Sequence, residues 1–118
     1  MEAPEPRTFY RVVESDPPTL RDFMSYEALG KPLRKPRPTP AELASWRAIS
    51  TYITDEAART RALENRELGF PIGDFIARLV LVEDAFVTRG PINRKGHCDL
   101  TGDPADLLAA VVLPVARV

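Results

Sequence analysis

Cysteine occurs once, at Cys98, and histidine once, at His97. A lone cysteine excludes an internal disulfide and suits a reducing compartment. A lone histidine leaves any Ser-His-Asp arrangement only His97 to use. No stretch approaches the roughly 18 consecutive apolar residues of a membrane span. Charge of one sign is missing too: 16 basic and 17 acidic residues give a net charge of −1. The overall field therefore draws in neither a polyanion nor an acidic membrane. Phosphate cradles of the GxxxxGK[ST] and GxGxxG kinds do not occur. The consecutive His97, Cys98 and Asp99 of "GHCDL" lack the spacing of a zinc site, so no metal is expected. "MEAPEPRTF", acidic and Pro-containing, is unlike a signal peptide. These absences describe a soluble, cytoplasmic protein with no membrane partner. Nucleic acid is disfavoured despite the basic pairs Arg34/Lys35 and Arg94/Lys95.

The 118 residues suffice for one domain with a single core. Proline is abundant, twelve residues, about double the usual 5% share. Four of them fall in "KPLRKPRPTP", residues 31–40, with Lys31, Arg34, Lys35 and Arg37. Proline removes donors and disfavours helix before it, so this is an extended basic loop. Such a loop is either a stiff connector or an anion-collecting rim.

Patterning predicts the elements. Residues 1–7 read as a loose arm, and "TFYRVVE", Thr8 to Glu14, as a strand. "TLRDFMSYEALG" has Thr19 as N-cap, Asp22 three residues on and Gly30 as stop, which predicts a helix between them. Thr39 with Glu42 has capping-box spacing and Pro40 the favoured first position, so a short helix runs to Trp46. "AISTYI" is a strand. Thr54 caps a helix that ends at Gly69, with Asp55 and Glu56 complementing its dipole. "FIARLVLVEDAFV", Phe75 to Val87, reads as one central strand. Residues 88–102 read as a long loop. Asp103-Pro104 opens a short helix, and "VVLPVARV" is a closing strand, placed at an edge by Pro114. The pattern is α+β: a small mixed or antiparallel sheet with two to four short helices in one domain.

Period-2 alternation puts Phe9, Arg11 and Val13 on one face of the first strand. A guanidinium between apolar neighbours needs a carboxylate, carbonyls or an anionic ligand if that face is covered. Ser50 and Thr51 offer hydroxyls at a strand end, and Tyr52 shares a face with Ser50, where it either packs or stacks on a ligand. Glu83, ending the apolar run, terminates a strand or faces a cleft. His97 is an ordinary loop histidine or a ligand contact, with Arg34 and Lys35 as further loop contacts. A His97/Cys98 nucleophilic pair is disfavoured because adjacent residues of an extended segment face apart.

Taken in order, Arg11, then Ser50-Thr51-Tyr52 before a helix, then Glu83, the chain resembles the ADP-ribosyltransferase superfamily, including its compact bacterial toxin-like branches. The resemblance implies a transferase that uses NAD as substrate. Arg11 would fix the ribose and phosphate region, and Ser50, Thr51 and Tyr52 would line the nicotinamide pocket. Glu83 would be the catalytic carboxylate that stabilises an oxocarbenium-like transition state, and the acceptor is unspecified. The competing reading is a non-enzymatic module that binds a protein partner through residues 31–40 and 88–102. The lack of a complete catalytic signature is on its side.

Overall fold

Short runs of β-branched and aromatic residues pair into one antiparallel six-stranded sheet. The computed structural model describes residues 7–33, 35–82 and 87–118. Its strands are β1 (Thr8–Val13), β2 (Ile49–Tyr52), β3 (Phe75–Val80), β4 (Val87–Arg89), β5 (His97–Gly102) and β6 (Val111–Arg117), in spatial order β4-β5-β2-β1-β3-β6. The helices are α1 (Pro40–Trp46), α2 (Asp55–Glu67) and α3 (Pro104–Ala109). The class is α+β, in a single compact domain. Among the described residues no helix is long and apolar enough to cross a membrane.

Both sheet faces are covered. Phe9, Val13, Leu79 and Leu100 form the main core on one face, completed by Phe23 and by Leu107 of α3. The other face is smaller. Val12, Tyr52 and Ile76 pack there against Ala58 and Ala62 of α2, whose short side chains let the helix lie close to the strands. Leu63, on the same helix, is 45% exposed and takes no share in this packing. Arg59 fastens α2 to the far edge: Nη1 donates to the Arg117 carbonyl at 2.6 Å.

The caps fall where side-chain chemistry puts them. Thr39 and Glu42 make a reciprocal capping box before Pro40. Thr54 accepts from the Ala57 amide, and Asp103 from the Ala105 amide. Gly69, with φ +83°, ends α2 in a left-handed conformation that glycine adopts without cost.

Three expected elements differ. The helix from Thr19 to Gly30 is a single 3₁₀ turn, Leu20–Phe23, and Met24 is already extended. Its capping box forms, but Asp22 also accepts from the Glu14 amide at 2.9 Å, which pins the turn to the end of β1. Burial of Phe23 then draws the chain inward, while Leu20 is left 48% exposed. The long strand Phe75–Val87 is two strands, with β3 stopping at Val80 inside the sheet and β4 at its edge, three strands between them. The expected loop 88–102 is largely a hairpin, β4 to β5, in which Val87 to Arg89 pair with Gly102 to Leu100. Residues 1–6, most of the expected arm, lie outside the described residues.

Candidate functional site

The sheet is nearly two sheets. β1 is paired with β3 along its whole length, from Thr8↔Val80 to Val13↔Phe75. β2 is paired along its whole length with β5, from Ile49↔Leu100 to Tyr52↔His97. Between β1 and β2 only Tyr10↔Tyr52 are register partners. Beyond that pair the strands part, and the backbone groups on the facing edges must find other partners.

Arg11 is the side chain that bridges the gap. Its Nη1 donates to the Ser50 carbonyl at 2.8 Å and its Nε to the Asp22 carbonyl at 2.7 Å. The guanidinium thus serves the Ser50 carbonyl in place of a neighbouring strand. Burial lowers the Arg11 pKa from its ordinary value, and the nearby Asp22 charge counteracts this only in part. No carboxylate lies within ion-pair distance of Arg11 among the described residues. Asp22 is the nearest candidate, but its oxygens are occupied by the Glu14 and Thr19 amides. The cation is therefore oriented by two neutral carbonyls and remains uncompensated at contact range.

At this parting lies a cavity of about 1020 Å³, at the top of the ~300–1,000 Å³ range of small-molecule sites. It is walled by the end of β1, residues 21–31, strand β2, one face of α2 from Glu56 to Asn65, Pro71 and Ile72, and the approach to β5. Arg11, Ser50, Tyr52 and His97 all line it. Tyr52 is 8% exposed, and burial raises its phenol pKa. The His97 ring meets the Tyr52 ring edge-on, with centroids 5.4 Å apart at 71°.

The remaining residues singled out from sequence go elsewhere. Thr51 is fully buried, and its Oγ1 donates to the Cys98 carbonyl at 2.6 Å. It ties β2 to β5 and does not reach the cavity. Lys35 pairs with Glu42 at the start of α1, also away from it. Glu83 and Arg34 lie outside the described residues. Cys98 belongs to the apolar core, with its thiol pKa raised by burial and by Asp99, so it makes no nucleophile with His97.

Sequence reading did not single out several wall residues. Ala57, Arg61 and Glu64 line the cavity from α2, and their i, i+4, i+7 spacing is a helix-face signal that was there to be read. Tyr26 was missed as well, whereas Lys31, from the basic loop read as a connector or an anion-collecting rim, does line the cavity, with its ammonium 5.1 Å from the Tyr26 ring centroid. Their segment is held against α1: Trp46 Nε1 donates to the Lys31 carbonyl at 2.8 Å, and Arg47 pairs with Glu27 at 3.0 Å. Among the described residues no cluster of three or more His, Cys, Asp or Glu side chains could hold a metal ion.

No protein-family model matches the chain, and neither a curated protein nor a solved structure does.

Proposed function

We propose that the parting between β1 and β2 binds NAD or a related dinucleotide, and that the protein transfers ADP-ribose from it to an acceptor. Arg11 carries this reading. A desolvated guanidinium, held by two carbonyls and facing a large cavity, presents unneutralised positive charge suited to a phosphate. Arg21, Lys31 and Arg61 add basic groups to the same walls. Tyr52 and Tyr26 supply aromatic surface for a base, and Ser50, exposed at the strand edge, supplies a hydroxyl. Glu83 is the proposed carboxylate that stabilises positive charge as the glycosidic bond breaks. Calorimetry with NAD tests binding, and nicotinamide release tests turnover. Glu83→Gln should abolish release while leaving affinity within a few-fold. Absence of NAD binding by the wild-type protein would overturn the reading.

A second reading, a non-enzymatic module that binds a protein partner, is favoured by one observation. Leu68 and Phe70, either side of Gly69 at the end of α2, are 69% and 75% exposed. Large apolar side chains grouped on a surface mark contact sites. If this reading is right, a pull-down with the wild-type chain captures a partner that Leu68→Ser/Phe70→Ser does not.

A further inference from the structure

We propose that His97, with the Asp99 carboxylate beside it, is the base that receives the acceptor's proton during transfer; this rests on the dinucleotide reading of the cavity. The geometry follows from β5 being a strand. His97 and Asp99 are two residues apart and share a face, and they are the register partners of Tyr52 and Ser50. The pair thus stands beside two of the β2 residues that line the cavity. His97 Nε2 lies 3.4 Å from Asp99 Oδ1, with the two side chains 28% and 24% exposed. The other carboxylate oxygen, Oδ2, accepts from Ser45 Oγ at 2.9 Å. Asp99 is therefore anchored from α1, and the imidazole lies beside Asp99 and against the Tyr52 ring. The His97 amide donates to Asn93 Oδ1 at 3.0 Å, which fixes the backbone where the strand begins.

Such fixing has a chemical consequence. Among the described residues neither ring nitrogen makes a hydrogen bond, and the Asp99 carboxylate 3.4 Å from Nε2 favours the proton of the neutral ring on that nitrogen, leaving Nδ1 as the acceptor. With water as the acceptor, the bond from C1′ of the ribose to the nicotinamide nitrogen breaks, and its electron pair leaves with neutral nicotinamide. A new bond forms from the water oxygen to C1′. The proton of that water passes to Nδ1 of His97 and then to solvent, so NAD and water give ADP-ribose, nicotinamide and a proton. Asp99 is a positioning residue, acting only through the ring.

The experiment has two arms. In the first, NAD affinity is measured by calorimetry and nicotinamide release by chromatography for wild type, His97→Ala and His97→Gln. Both variants should lose about 10²–10⁴-fold in release with affinity within three-fold, and added imidazole should restore part of the rate to His97→Ala. Wild-type rates in folded variants, or no response to imidazole, would overturn the base role while NAD binding keeps the wider reading. Wild type that neither binds NAD nor releases nicotinamide removes both. The second arm needs no turnover: ¹⁵N spectra of the chain's single imidazole should show the Nε2–H form, shifted toward Nδ1–H by Asp99→Asn. A wild-type ring protonated mainly on Nδ1 would also defeat the proposal.

Discussion

Arg11 and Thr51 illustrate two uses of a polar side chain in a sheet, one at a cleft and one in the core. Arg11 joins groups that the strand ladder leaves without partners, because it reaches carbonyls on both sides of the parting. Arg11→Lys keeps the charge but loses the fork that serves both carbonyls at once. We expect it to lower stability by about 1–3 kcal/mol and NAD affinity by at least ten-fold, read by denaturant melts and calorimetry. Thr51 should behave differently. Replacing it by Val keeps the shape but leaves the buried Cys98 carbonyl without the hydroxyl that serves it. The expected cost is about 1–3 kcal/mol, with ligand affinity unchanged because Thr51 is not part of the cavity wall. Alternation in "FYRVV" made the Arg11 requirement legible, since a covered arginine must find carbonyls, a carboxylate or an anion. Thr51 was expected on the pocket wall with Ser50 and Tyr52, but strand alternation turns it to the other face, where it is fully buried.

Elements bounded by caps were readable, and elements decided by tertiary pairing were not. Thr39, Thr54 and Asp103 each cap the helix expected of them. In contrast, "HCDLTG" was hidden as a strand by its glycine and polar residues, although Cys98 and Leu100 alternate as a half-buried strand requires. Reading that segment as loop concealed the same-face relation of His97 and Asp99. The single strand expected over 75–87 failed for a related reason. An apolar run shows that residues are buried, but not that they are buried in one place. The α1 cap also predicts a pH response. Glu42 titrates at about 2, lowered first by its hydrogen bond with Lys35 and then by the Thr39 amide. A depressed carboxylate adds stability that is present above its ordinary value of 4.5 and is lost as pH falls toward 2. Acid titration followed by amide shifts in α1 should show this loss in wild type and not in Glu42→Gln. Added salt should weaken it, since Lys35 is 70% exposed.

At the scale of the whole molecule, the inner and outer strands of the sheet differ in how firmly they are built. β1 and β3 share an unbroken six-residue register, and their Phe9, Val13, Ala77 and Leu79 are at most 1% exposed. β4 is a three-residue edge strand and β6 an outer strand with a register shift against β3 between Ile76 and Arg78. Hydrogen exchange should therefore be slowest in β1 and β3 and fastest in β4 and β6. Equal protection across all six strands would contradict this order.

The weak stitch between Tyr10 and Tyr52 has a mechanical corollary. Two sets of strands that share cores and the α2 helix but only one backbone register pair are least tied by hydrogen bonds along the line between β1 and β2. Any guest lodged there would act on that line first. Saturating the protein with NAD should slow exchange at the Ser50 and Thr51 amides well before it alters the outer strands.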